Sequence, residues 1–219
     1  MNETRKSVLA NMLLAAVALF INGFGVYLTI HADFGASPWD VLNLGLSNTF
    51  GILYGTASII VSVTILIIDI ILKEPIGIAM FIDAFLVGKA VDFFNYIDVI
   101  IIPKSVIGKI VMIFVGLVIM GYTQYLYMKA ALGCGPRDTL LVGLDKRIKK
   151  LPIGIISILL LSMATFVGYL LGGKVGIGTL ICAFCAGPVM QFAFISVKFD
   201  AAKIEHQRLS KGIKVLLGR

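Results

Sequence analysis

Apolar positions in this chain fall in long unbroken runs, with polar residues gathered between them. Six such runs, nearly free of charge, cover residues 8–30, 52–72, 75–94, 106–128, 153–171 and 175–197. A helix needs roughly 20 apolar residues to cross a hydrocarbon core about 30 Å thick, and each run is of that order. Inside lipid every backbone N–H and C=O must be paired within the protein, which leaves helices or a closed barrel. Barrel strands read as segments of about ten residues with alternating polarity, and nothing here alternates. The pattern predicts six transmembrane helices. The first run follows Arg5 and Lys6 as a signal peptide would. It exceeds the roughly 7–15 apolar residues of a signal core, so it reads as an uncleaved span.

Composition turns this expectation into exclusions. Of the residues, 59% are hydrophobic and 14% charged, against about 45–50% and about 25% in soluble domains. A soluble enzyme, a disordered chain and a large extramembrane domain are all excluded. The net charge of +7 is explained by its placement and calls for no nucleic acid. Lys and Arg accumulate in cytoplasmic loops. With the N-terminus inside, the inner segments hold Arg5, Lys6, Lys73, Lys129, Arg137, Lys146, Arg147, Lys149 and Lys150, followed by a basic tail over 198–219. The outer segments hold only Lys104, Lys109 and Lys174. The expected location is the bacterial cytoplasmic (inner) membrane, with both termini in the cytoplasm. The tail mixes Ile204, Leu209, Ile213, Leu216 and Leu217 with its basic residues, which suits either a solvated tail or one lying on anionic lipid.

An internal repeat organises the spans. Residues 35–46 read GASPWDVLNLGL and residues 133–144 read GCGPRDTLLVGL, matching at Gly35/Gly133, Pro38/Pro136, Asp40/Asp138, Leu42/Leu140, Gly45/Gly143 and Leu46/Leu144. A second set pairs Gly55 and Ser58 with Gly154 and Ser157, Gly77-Ile78 with Gly176-Ile177, Ala84-Phe85 with Ala183-Phe184, and Gly88 with Gly187. Each copy contains three spans, an odd number, so the second must enter the membrane inverted. The fold expected is an all-α integral membrane protein, a single domain over 1–219. Its first repeat covers 8–98, with a short helix at 37–50. The second covers 106–197, with a short helix at 135–148. The short helices cannot span and must be re-entrant or interfacial. Such inverted repeats recur among secondary transporters, which place their sites between the halves.

Each short helix has a readable start. Ser37 can cap, Pro38 suits the first helical position, and Asp40 stands where a capping box places its acid. Gly135, Pro136, Arg137 and Asp138 repeat the plan. A buried helix start attracts anions through free N–H groups and the helix dipole, unless Asp40 and Asp138 already occupy that role. Trp39 fits an outer aromatic belt, and Arg137 fits the inner, positive side.

Charges within the spans are the remaining candidates. Asp69 and Lys109 lie near span ends and can reach headgroups. Asp83 lies about 12 Å into the third span at 1.5 Å per residue, near the midplane. Intramembrane acids commonly mark ion or substrate paths. Lys89 and Asp92 stand three apart on one helix and can pair locally. The candidate substrate- or ion-binding residues are therefore Asp83, Ser37, Pro38, Asp40, Pro136, Arg137, Asp138, Lys89 and Asp92. Asn22, Gln124 and Gln191 read as interhelical hydrogen-bond formers, and Gly168-x-x-x-Gly172 as a close packing motif suited to a homodimer seam. Cys182-x-x-Cys185 lacks the further ligands of a zinc site, and Cys134 stands alone. All three read as small apolar packing residues. His31 and His206 lie near opposite ends of the chain, with no ligand motif. No catalytic set, metal site or cofactor motif is present, so no enzyme is expected.

The paired G-x-[SG]-P-x-D motifs, with G-I-A and G-I-G entries to the third and sixth spans, resemble the bacterial YczE/YyaS/YitT-type membrane protein family from Gly23 to Phe194. The resemblance implies a small multispanning inner-membrane protein and carries over no catalytic residues. The function expected from the residues is a secondary carrier of a small polar or anionic solute. The alternative is a non-transporting accessory or regulatory protein that binds another protein. The partners expected are the bilayer, a small-molecule solute and a second copy of the chain.

Overall fold

The computed structural model describes residues 5–200 together with Ile204 and Leu209. Most of the tail expected over 198–219 lies outside the described residues. Among the described residues every regular element is helical: α1 (Arg5–His31), α2 (Pro38–Phe50), α3 (Tyr54–Ile71), α4 (Ile78–Ile97), α5 (Val106–Lys129), α6 (Pro136–Arg147), α7 (Ile153–Leu170) and α8 (Ile177–Ser196). Five of these, α1, α3, α5, α7 and α8, are long and apolar enough to cross a membrane. The expectation was six. The helix that falls short is α4, which has 20 residues but carries Asp83, Lys89 and Asp92. It also begins later than the third apolar run, because Pro75, Ile76 and Gly77 form a loop.

Helices α1 and α5 pack along each other at the centre. Their approach is set by Gly25 and Gly116, each of which would press a Cβ within 3 Å of the other's carbonyl oxygen. Small residues of this kind let helices gain dispersion contact where lipid supplies no hydrophobic drive. Around this pair, α1 packs on α4 and α5 on α8; α2 packs on α7 and α6 on α3. Gly168 meets the backbone of Val41 and Leu42 on α2. Of the close-packing motif, Gly168 is therefore covered within the chain, while Gly172 lies beyond the end of α7 with open space around it.

The loops lock in matched fashion. The Ala79 N–H donates to the Leu132 carbonyl at 3.1 Å, and the Gly178 N–H to the Phe34 carbonyl at 2.7 Å. Gly35 and Gly133 both hold left-handed backbone, at φ 110° and 119°, where a side chain would be strained. One end of the bundle joins the 72–77 loop to the end of α6: Glu74 pairs with Lys146 at 2.5 Å and with Arg147 at 2.8 Å. Leu209 also joins this end, donating its N–H to the Ile76 carbonyl. The opposite end joins the 32–37 loop to the 171–176 loop through Lys174–Asp33 at 2.7 Å. Lys109 adds to this end, its Nζ donating to the Asp33 carbonyl at 2.9 Å. Asp69 does not reach the headgroups as expected: it is fully buried, and neither carboxylate oxygen has a hydrogen-bond partner.

Candidate functional site

The short helices point their N-termini at each other across the middle of the bundle. From there α2 runs to one end, where Asn48 and Thr49 donate to the Gly172 and Leu171 carbonyls. Helix α6 runs to the other, where Arg147 donates to Glu74 and to the Leu72 carbonyl. The Arg137 guanidinium consequently lies over the Trp39 ring, 5.2 Å from its centroid, within cation–π range. This corrects the expectation that Trp39 and Arg137 sit at opposite membrane faces. Their loops enter from opposite ends, but each folds inward before its helix begins.

Between the two starts lies a cavity of about 450 Å³ to which all eight helices contribute, within the roughly 300–1,000 Å³ usual for small-molecule sites. It brings together Ser37, Pro38, Asp40, Asp83, Arg137 and Asp138. Pro136, Lys89 and Asp92 do not line it. Lys89 is exposed and stands 4.0 Å from Asp92. The stronger bond of Asp92 is to the α3 start, where its Oδ1 accepts the Gly55 N–H at 2.7 Å.

The two Pro-x-Asp starts are built differently. Neither Ser37 nor Gly135 gives a side-chain cap to its helix, so the first-turn N–H groups remain free of one. Ser37 instead donates to Asp40 at 2.5 Å, while the Tyr54 hydroxyl donates to the other oxygen at 2.7 Å. Asn43 donates to that hydroxyl at 3.1 Å. The capping box expected from Ser37 and Asp40 is replaced by a buried side-chain network. At α6, Gly135 leaves room that a side chain would fill. A Cβ there would lie 2.7 Å from Asp83 Oδ2 and 3.7 Å from Asp138 Oδ2, so both carboxylates gather over the helix start. Gln124 reaches Asp138 at only 3.4 Å. Asp138 is exposed to the cavity, and Arg137 is the cation close enough to act on both acids.

Sequence reasoning missed Tyr54, Ser58, Ser62 and Ser157, which also line the cavity. Tyr54, Ser58 and Ser62 recur every four residues in a largely apolar helix, one polar stripe on a single face, and that spacing was readable. Asn22 also lines the cavity and donates to Thr123 at 2.9 Å, a bond between helices. The three cysteines are free, and no metal-binding cluster occurs among the described residues. Chemically, the cavity offers carboxylates to a cation or proton, and a guanidinium with two helix N-termini to an anion.

The family described as "Family of unknown function (DUF6198)" matches residues 9–194. The chain is 31% identical to the "Uncharacterized membrane protein YczE" of Bacillus subtilis over 80% of its length and 81% of that protein. It is 28% identical to the "Uncharacterized protein YyaS" of the same organism, covering 89% of this chain and 94% of the relative. An "Uncharacterized protein" of Haemophilus influenzae is 29% identical over 80% of the chain and 79% of its own length. No solved structure matches. With a family match running from α1 into α8 and five long apolar helices, the chain is a multi-pass membrane protein that belongs to the DUF6198 family.

Proposed function

We propose that this protein is a secondary carrier of a small polar or anionic solute, built as two inverted repeats that rock against each other. In this reading α4 is the sixth crossing, its charged residues turned to protein and not to lipid. Both termini face the cytoplasm of a bacterial inner membrane. The end rich in Lys73, Lys129, Lys146 and Arg147 is then the inner one. The matched loop locks and matched helix packing support the repeat. The observation that carries the reading is the convergence of two helix N-termini, Asp83, Asp138 and Arg137 on one central cavity. Transporter sites place half-helix N-termini against anionic solute groups near mid-membrane. An accessory role in binding another protein would leave these polar groups without a task.

Uptake into proteoliposomes, with and without ion gradients, tests the proposal across amines, carboxylates, amino acids and phosphates. Accumulation of one class, lost in Asp83→Asn, is the expected result. Equal fluxes in protein-containing and empty vesicles across the whole panel would reject it. Stoichiometric capture of a partner that survives Asp83→Asn would turn the reading toward the accessory role.

A further inference from the structure

Matched residues of the two halves sit in unlike surroundings. Helices α3 and α4 are held together along a seam: Gly88 would press a Cβ to 2.9 Å from the Gly55 carbonyl oxygen and 3.1 Å from the Ser58 Cβ. Asp92 closes the seam by accepting the Gly55 N–H at 2.7 Å. The corresponding residues on α7 and α8 are Gly154, Ser157, Gly187 and Gln191. Here a Cβ on Gly154 or Gly187 would meet nothing within 4 Å. The two helices leave their short connection at 171–176 and share no extended contact. Gly88 is buried where Gly187 is exposed. The exposed members of the cavity wall all lie on α6 and α8, so the gap between α7 and α8 is part of the mouth.

We infer that α7 and α8 form the moving gate of the cavity and close by the clasp that α3 and α4 already display. In the closed state Gly154 packs on Gly187, and the Gln191 side-chain carbonyl accepts the Gly154 N–H. That N–H is free to be taken, because Gly154 lies in the first turn of α7 as Gly55 does in α3. The hinge is visible in the sequence. Pro188 follows Gly187 inside α8, where α4 has Lys89. Proline removes one intrahelical hydrogen bond and lets the helix bend at that point. The bend falls in the turn 184–188, so Gly187 belongs to the part that swings, 187–196, which pivots against Gly121 of α5. Tight contact needs glycine on both faces, which explains a glycine pair retained where the structure leaves open space. The gate deepens the carrier reading and rests on it, since sealing one mouth is what alternating access to a shared site requires.

Spin labels at Ile155→Cys and Phe192→Cys, in a background free of the native cysteines, measure the gate in lipid nanodiscs by pulsed dipolar spectroscopy. The parent is expected to give two distance populations. The shorter is lost in Gly154→Leu and in Gly187→Leu, where an added Cβ meets open space in the open arrangement. Asp92→Ala loosens the opposite clasp and raises the shorter population about tenfold, the weight of one charge-assisted hydrogen bond. A single long distance in both parent and Asp92→Ala would overturn the gate, as would a short population that survives both glycine variants. These distances need no solute. Two populations without flux would leave the gate standing and defeat the carrier; flux with one fixed distance would do the reverse.

Discussion

Asp40 and Asp138 occupy the same place in two copies of one motif, yet they are held in opposite ways. Asp40 is 2% exposed, and both its oxygens accept hydrogen bonds, one from Ser37 and one from Tyr54. Asp138 faces the cavity with a single long bond from Gln124. The difference comes from two other positions: Gly135 stands where the first copy has Ser37, and Ile153 where it has Tyr54. A carboxylate whose lone pairs are filled by its own fold is a structural member. In the carrier proposed above, the one left open beside Asp83 and Arg137 is the one that meets the solute. The matched motif thus places two acids alike, and only their surroundings set them apart.

The largest expected break in this comparison is Asp40→Ala, which strands the Tyr54 hydroxyl and Ser37 in a buried site. Losing a charge-assisted network of this kind costs about 3 kcal/mol. Thermal denaturation in detergent should fall sharply for Asp40→Ala and barely move for Asp138→Ala. Similar losses for both would end the distinction. Next, Tyr54→Phe removes one donor to the same carboxylate and should cost about 1.5 kcal/mol, read in the same assay, with solute binding less affected than in Asp138→Asn.

A weaker version of the contrast appears in the loops. Lys146 and then Arg147 hydrogen-bond Glu74 and hold its carboxyl below the usual glutamate range. The folded protein therefore keeps this group ionised at pH values where an unfolded chain would protonate it. Its contribution is full above the ordinary pKa of about 4.3 and fades as pH falls through the lowered value. Glu74→Gln should cost about 1 kcal/mol at neutral pH, and the difference from parent should vanish in acid. A difference that grew on acidification would reverse the sign of this linkage. Asp33, at the opposite end, is held below the usual aspartate range mainly by its bond from Lys174. Its side chain is 47% exposed, so solvent screens the pair. Asp33→Asn should change stability by only about 0.3 kcal/mol, and by less in high salt.

How far the sequence reached can be judged at particular residues. Pro38 and Pro136 mark the starts of α2 and α6 because proline suits a first helical position and little else in a helix. The short helices were legible for that reason, but the direction in which they point was not. Trp39 and Arg137 were sorted to opposite faces by residue preference, a rule that applies to side chains at a membrane surface. Both lie inside, because the loops before them turn inward on Gly35 and Gly133 and dock against the 176–178 and 77–79 segments of the other half. Lys89 and Asp92 matched as an i, i+3 pair, but the helix packed beside them offered Asp92 a better donor in Gly55.

By itself, the sequence determined five of the long apolar helices and the proline-marked starts of the two short ones. A helix satisfies its backbone within its own residues, and a hydrocarbon layer sets the length it must cover. Only the tertiary structure decided which acid is tied down and which is open, which glycine pair is closed and which stands apart, and that two distant helix starts share one cavity. Those outcomes depend on contacts between residues far apart in the chain, where a matched motif fixes the side chain but not its neighbours.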